Sequence, residues 1–132
     1  MIYLVDVNAL VALGFQEHEF HNRVAVWVRK EQPIDLATCS ITELGFVRIL
    51  SQAPEYGLSV GQACALLARL KADTSVQFKF IADTHGISDL PPWVKTAKQV
   101  TDGHLTQLAK ANGTVLATLD RKIPGAYLIP ET

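Results

Sequence analysis

The chain has 132 residues, a length that suits one domain over 1–132. Apolar residues make up 48% and charged residues 19% of it, which is typical of a globular protein and excludes a disordered segment. No apolar stretch approaches the roughly 18 residues of a membrane span, and no basic leader is present, so a cytoplasmic location is expected. The formal net charge of −1 does not by itself indicate a nucleic-acid-binding protein.

Strands and helices are predicted to alternate along the first half of the chain. Residues 2–5 are all apolar, as in a strand that is buried on both faces. Apolar residues recur at helical spacing from Glu17, and Pro33 stops that helix. Ser40 and Glu43 have the spacing of a capping box. The predicted elements are a strand over 2–5, a helix over 8–13, a helix over 17–30, a strand over 34–37 and a helix over 40–52.

The alternation continues in the second half. Ser59 and Gln62 form another capping-box pattern, which opens a helix that ends near Asp73. Residues 82–98 are expected to form a loop with short helical pieces, and Asn112–Gly113 is expected to close a helix with a left-handed C-cap. The remaining predicted elements are a strand over 76–81, a helix opened by Thr101 and Asp102, a strand over 114–119 and a final edge strand over 126–129.

This alternation predicts an α/β fold. Connections between parallel strands are right-handed crossovers, which place helices on both faces of the sheet. We therefore expect a three-layer α/β/α domain with a mainly parallel sheet of four to five strands flanked by helices. Ligands of such sheets bind beyond the carboxyl ends of the strands.

Four acidic residues occupy positions that converge on that end of the sheet. Asp6 and Asp120 follow predicted strands, whereas Glu43 and Asp102 lie near the starts of predicted helices. Carboxylates are the oxygen ligands that Mg²⁺ and Mn²⁺ prefer, and such ions promote phosphodiester hydrolysis. The sequence therefore predicts a site for one or two divalent ions and, with it, nuclease chemistry. If these four acids face a metal ion, 9 acidic and 12 basic residues are left on the rest of the protein. The net charge of −1 then argues less strongly against a nucleic-acid-binding protein.

Each acid also has a purely structural interpretation. Glu43 suits a capping box, and Asp102 suits the positive end of a helix dipole. Asp6 and Asp120 suit the turns that follow strands. These separate roles give no reason for all four residues to meet at one rim.

Several polar residues are candidates for supporting roles. Asn8 is expected to brace Asp6 or to cap the following helix, and Thr118 lies on the same side of a strand as Asp120. The candidate RNA phosphate contacts are Arg48, Arg121 and Lys122.

The histidines give little support for a zinc site. His18 and His21 have metal-ligand spacing on one predicted helix, but no nearby cysteine or further histidine completes the set. We expect His85 and His104 at the surface. Cys39 and Cys64 lack CxxC spacing and are expected to pack as small hydrophobic residues instead of forming a disulfide.

The four acids and their surroundings resemble the PIN-domain ribonucleases, in particular the VapC-type toxins of bacterial toxin–antitoxin pairs. The resemblance covers nearly the whole chain, and its residues lie in 4–8, 42–50, 101–105 and 117–121, with a further likeness at His18, His21, Ala25 and Trp27. In that family the acids that match Asp6, Glu43, Asp102 and Asp120 bind Mg²⁺ or Mn²⁺. The positions that match Asn8 and Thr118 support them.

The resemblance implies a single PIN domain over 1–132, a homodimer and a VapB-like antitoxin that blocks the acidic cleft. It also implies a structured RNA substrate, a tRNA or an rRNA. We therefore predict a metal-dependent endoribonuclease that acts as the toxin of such a pair.

Three other functions are alternatives. A phosphoryl-accepting signalling domain is also an α/β sheet with acids at its rim, and Asp83 and Lys122 fit its pattern loosely. A haloacid-dehalogenase-like phosphatase fits less well because it requires an aspartate where this chain has Asn8. The third alternative is a PIN-like binding module without catalysis, which the complete set of acids disfavours.

Overall fold

Five parallel strands form a single sheet at the centre of the molecule. The computed structural model describes the whole chain, residues 1–132. The strand order is β3-β2-β1-β4-β5, and every neighbouring pair is parallel. The strands are β1 (Ile2–Val5), β2 (Asp35–Cys39), β3 (Gln77–Ile81), β4 (Val115–Thr118) and β5 (Tyr127–Leu128). The predicted α/β fold with a parallel sheet is confirmed.

Five α-helices connect the strands. They are α1 (Val7–Gly14), α2 (His21–Lys30), α3 (Ser40–Gln52), α4 (Val60–Lys71) and α5 (Val100–Ala111). Short 3₁₀ turns at 87–89 and 97–99 interrupt the long connection between β3 and α5. No helix has both the length and the apolar character needed to cross a membrane.

Two separate apolar cores show why β1 is apolar at every position. Val5 belongs to the larger core, whose helical members come from α1 to α4, whereas Leu4 belongs to the smaller core against α5. Successive side chains of a strand point to opposite faces, so β1 is covered on both sides. Burial of each such side chain stabilises the fold by roughly 1.5–3 kcal/mol.

Helix α2 begins four residues later than predicted. Its first residue is His21 instead of Glu17, and the preceding residues form turns in which His18 N donates to Phe15 O and His21 N donates to His18 O, each at 3.0 Å. His21 Nδ1 also donates to Ala12 O of α1 at 2.7 Å. These contacts fix the chain between α1 and α2 before helical hydrogen bonding starts. The strands shift by smaller amounts, and β5 has only two residues.

The start of α3 corrects a second prediction. The reciprocal cap does not involve Ser40 and Glu43, because β2 extends to Cys39 and α3 begins directly after it. Cys39 N donates to Thr42 Oγ1 at 3.0 Å instead. Glu43 is therefore released from the capping role. By contrast, the Ser59–Gln62 capping box and the left-handed Gly113, with φ 68°, are confirmed.

Candidate active site

Asp6 lies at the carboxyl end of β1 and is the N-cap of α1. Its Oδ1 accepts a hydrogen bond from Ala9 N at 2.8 Å, and its Oδ2 accepts one from Thr118 Oγ1 at 2.5 Å. Strands β1 and β4 are neighbours, and Asp6 N donates to Ala117 O at 3.1 Å, so the two strand ends are held in register. This pairing brings together residues that are 112 positions apart.

The Asp6 carboxyl is almost fully buried, with 6% of its surface exposed. Its pKa is raised from the ordinary 3.8 to about 6, mainly by burial and also by the nearby charges of Asp102 and Asp120, although the bonds from Thr118 and Ala9 lower it. Thr118 Oγ1 is bonded to both Asp6 Oδ2 and Asp120 N, and Asp102 and Asp120 line one cavity, so the three carboxylates lie near one another. The structure thus brings Asp6, Asp102 and Asp120 to the same rim of the sheet.

Asp102 and Asp120 share a cavity of about 380 Å³. Asp102 is in the first turn of α5, and burial followed by the Asp120 charge raises its pKa. Asp120 follows β4 and is exposed. Its N donates to Thr118 Oγ1 at 3.0 Å, and its Oδ1 accepts from Lys122 N at 2.9 Å. The Thr118 hydroxyl is therefore bonded to both Asp6 and Asp120.

Glu43 has different partners from the three aspartates. Its Oε2 accepts from Thr38 Oγ1 at 2.6 Å and is ion-paired with Lys71 Nζ at 2.5 Å. It lines another cavity, of about 330 Å³, between α3 and α4. The structure brings Glu43 to the carboxyl end of β2 but does not place it in the cavity that contains Asp102 and Asp120.

The three aspartates suit a hard divalent cation by their chemistry. None of them forms a salt bridge with a side chain of the protein. No three Asp, Glu, His or Cys side chains are gathered closely enough to form a ready metal-ligand group. Mg²⁺ needs no such closed cage, because it keeps several waters and commonly uses one or two carboxylates together with substrate phosphate.

The remaining candidate residues lie in varied surroundings. Asn8 is exposed at the second position of α1, and Asp6 takes the capping role considered for it. Arg48 is exposed on α3. Arg121 pairs with Glu131 at 2.5 Å, and only Lys122 lines the cavity of Asp102 and Asp120. These assignments stay predictions.

His104 is more buried than expected of a surface residue, whereas His85 is partly exposed. The side chain of His104 is 14% exposed, and its Nε2 donates to Asp83 Oδ2 at 2.5 Å. His85 Nδ1 is buried without a hydrogen-bond partner. Burial raises the pKa of Asp83, but the bonds from His104 and from the backbone of His85 outweigh it and leave that pKa lowered. The chain places Asp83 and His104 far apart in sequence, so neither residue alone signalled the pair.

Comparison with known proteins identifies the family. No family model matches the chain. Among curated proteins of Mycobacterium tuberculosis, ribonuclease VapC38 is 36% identical over 118 residues, which cover 89% of this chain and 84% of that protein. Ribonuclease VapC44 is 37% identical over an alignment of 134 residues that covers 93% and 92%. The chain belongs to the VapC ribonuclease family.

Two solved structures share the VapC fold at low sequence identity. VapC20 of Mycobacterium tuberculosis, described as a sarcin-ricin loop cleaving toxin, aligns over 100% of both chains with a TM-score of 0.64 and 12% identity. VapBC2 from Rickettsia felis, bound to a promoter DNA fragment, aligns over 97% of both chains with a TM-score of 0.56 and 14% identity. They show the fold of this VapC chain.

The sheet order argues against the signalling-domain alternative. Phosphoryl-accepting domains have the order 2-1-3-4-5, in which β1 lies between β2 and β3. In this VapC chain β1 lies between β2 and β4. Asp83, the residue considered as phosphoryl acceptor, is already bonded to His104 and to His85 N.

Proposed function

We propose that this VapC protein is a Mg²⁺- or Mn²⁺-dependent endoribonuclease and the toxin of a toxin–antitoxin pair. The observation that carries the metal dependence is the group of three carboxylates, from Asp6, Asp102 and Asp120, at the rim of the sheet, none of which forms a salt bridge within the protein. A divalent cation removes the repulsion among these carboxylates.

Asp6, Asp102 and Asp120 are the proposed ligands, and Glu43 is the proposed fourth. When bound, the ion lowers the pKa of water to make a nucleophile and stabilises the charge that develops on the phosphate. Hydrolysis adds water across one P–O bond, and the departing ribose oxygen takes a proton. The Lys71 ammonium is ion-paired with Glu43 Oε2, so a metal ion would compete with it for the charge of the Glu43 carboxylate.

Other residues of the chain hold the aspartate carboxylates in position and add positive charge to the cavity. The Thr118 hydroxyl and Ala9 N hold the Asp6 carboxylate in one orientation, which limits the rearrangement required when a cation binds. Lys122 N fixes Asp120, and Lys122 lines the cavity that contains Asp102 and Asp120. Asn8 is exposed two residues after Asp6, and we propose that it supports Asp6 from that position.

The substrate and partners are proposed from the relatives. VapC20 is described as a toxin that cleaves the sarcin-ricin loop, an rRNA element, and it supports a structured RNA, tRNA or rRNA, as substrate here. The likeness to VapBC2 supports a VapB-like antitoxin. A homodimer and a cytoplasmic location complete the proposal.

Cleavage of labelled cellular RNA by purified variants tests the function. Asp6→Asn, Asp102→Asn and Asp120→Asn are each expected to reduce cleavage at least about 100-fold, and a chelator is expected to abolish the wild-type activity until Mg²⁺ or Mn²⁺ is restored. Asp89→Asn, in the exposed 87–89 turn, is the matched control and should cleave like the wild type. Full activity in the presence of chelator would refute the metal dependence.

A further inference from the structure

The cavity beside Asp102 and Asp120 has a second wall that contains aromatic, polar and basic residues. Lining residues other than these two acids are Trp93, Thr96, Lys98, Gln99, Lys122 and Ile123. Its volume of about 380 Å³ lies at the lower end of small-ligand sites, which run from roughly 300 to 1,000 Å³. Such a space suits one unstacked nucleotide and excludes a base-paired duplex.

The charges of this wall suit a phosphate backbone. Neither Lys98 nor Lys122 forms a salt bridge with a side chain of the protein. Within the cavity these two ammonium groups balance the charges of Asp102 and Asp120. A divalent cation at the acids therefore leaves the cavity net positive, and an RNA phosphate is the group that complements it.

Trp93 offers an aromatic surface that is held in place. The indole is partly exposed, and it packs against the smaller apolar core, next to α5. Its neighbour Val94 donates from N to Pro91 O at 3.1 Å, and the Val94 side chain lies directly against Gly103 of α5. The loop that carries Trp93 is therefore fixed beside Asp102.

We infer that Trp93 stacks on a base next to the scissile phosphate, while Lys98 and Lys122 contact the flanking phosphates. A partly buried tryptophan beside lysines is a common way to hold single-stranded nucleic acid, because every base presents a face that an aromatic ring can cover. The site selects an unpaired nucleotide of RNA. This inference rests on the proposed function, since it assigns the substrate to the same cavity.

Binding of a short single-stranded RNA, with Ca²⁺ in place of Mg²⁺, tests the assignment without relying on cleavage. By fluorescence polarisation, Trp93→Leu is expected to weaken binding roughly 5- to 100-fold, whereas Trp93→Phe retains most of the affinity. Lys98→Ala is expected to weaken binding and to reduce its salt dependence. Lys30→Ala, exposed at the end of α2 and outside both cavities that Trp93 lines, is the matched control and should bind like the wild type.

A second measurement needs no substitution. The only other tryptophan, Trp27, is 3% exposed in the larger core, so RNA that stacks on Trp93 should quench the fluorescence of Trp93 alone. RNA of the same length with abasic sugars should neither quench it nor bind as tightly. Equal binding of intact and abasic RNA, or unchanged affinity in a folded Trp93→Leu variant, would overturn the inference.

Kinetics separate this inference from the proposed function. If the wild type cleaves RNA with Mg²⁺ and Trp93→Leu has an unchanged KM, the stacking site is wrong and the nuclease stands. If the wild type binds RNA through Trp93 but never cleaves it, the nuclease is wrong and the stacking site stands. The expected result is a raised KM in Trp93→Leu with kcat affected much less.

Discussion

Lys71 Nζ is ion-paired with Glu43 Oε2 at 2.5 Å, at the point where the end of α4 meets the start of α3. The Lys71 ammonium also lies 5.6 Å from the centre of the Phe80 ring, and Thr38 donates to the same Glu43 oxygen. Both charged side chains are about three-quarters buried, at 29% and 25% exposed. This pair holds Glu43 apart from the aspartates, so Lys71 and a metal ion are competitors for one carboxylate.

Loss of Lys71 should strengthen metal binding. Lys71→Met retains much of the apolar stem but removes the ammonium, so Glu43 becomes free to turn toward the ion. We expect the Mg²⁺ concentration for half-maximal RNA cleavage to fall about two- to fivefold, in keeping with an ion pair worth up to about 1 kcal/mol. A titration of cleavage rate against Mg²⁺ measures it.

A double variant isolates the reason for this change. In Lys71→Met combined with Glu43→Gln the gain should vanish, because the freed carboxylate is no longer there. Arg69→Met, two residues earlier on α4, is the matched control for loss of a cation. A gain that survives in the double variant would show that Lys71 acts on the metal by some other route.

Removal of the Thr118 hydroxyl should damage both stability and activity. Thr118→Val keeps the shape of the side chain but leaves the buried Asp6 Oδ2 without its donor and Asp120 N without its acceptor. We expect a loss of about 1–3 kcal/mol in the free energy of unfolding, measured with urea, together with slower cleavage. Thr118→Ser preserves the hydroxyl and should recover most of both. A Val variant as stable as the wild type would argue against this contact.

The buried Asp6 should make the metal-free protein less stable as pH rises. The folded pKa of about 6 lies above the ordinary 3.8, so the folded state binds the proton more tightly than the unfolded state. The protonated Asp6 carboxyl therefore contributes roughly 3 kcal/mol to the free energy of unfolding below about pH 4. This contribution is lost as the pH rises through about 6.

Asp6→Asn provides the test of that linkage. Unfolding with urea in the presence of chelator should show the variant more stable than the wild type at pH 8 and much less dependent on pH between 4 and 7. Asn still accepts the bond from Ala9 N, so the cap of α1 is retained. Parallel pH profiles for the two proteins would contradict the raised pKa.

Two helical glycines should respond in opposite ways to the same substitution. A Cβ at Gly103 would lie 2.2 Å from Val94 Cγ2, so Gly103→Ala should push the Trp93 loop away from α5 and destabilise the fold by about 1–3 kcal/mol. A Cβ at Gly61 of α4 meets nothing nearer than Ser59 Oγ at 3.9 Å, so Gly61→Ala should stabilise by up to about 1 kcal/mol. Thermal unfolding of both variants checks the contrast; a stabilising Gly103→Ala would contradict the close packing.

Local sequence patterns were enough to predict the fold and to predict that the acids lie at the rim of the sheet. The all-apolar β1, the Ser59–Gln62 cap and the Asn112–Gly113 helix end each depend on neighbouring residues, and the structure confirms them. Asp6 and Asp120 follow their strands as expected because parallel strands deliver their carboxyl ends to one edge.

Contacts between distant residues account for what the sequence did not predict. The spacing of Ser40 and Glu43 is correct for a capping box, but β2 pairs with β3 as far as Cys39, so the cap falls on Cys39 and Thr42. The Glu43 carboxylate instead binds Lys71, 28 residues later. The burial of His104 likewise depends on Asp83 in the loop after β3. No pattern within a single element carries information about such partners.

The position of the metal in a crystal soaked with Mn²⁺ tests the central claim most directly. Anomalous scattering locates Mn²⁺ without reference to activity. We expect a peak in contact with the carboxylates of Asp6, Asp102 and Asp120, and its loss in Asp102→Asn crystals soaked in the same way. A saturating soak that shows Mn²⁺ only elsewhere, or leaves these three aspartates without a peak, would contradict the proposed site.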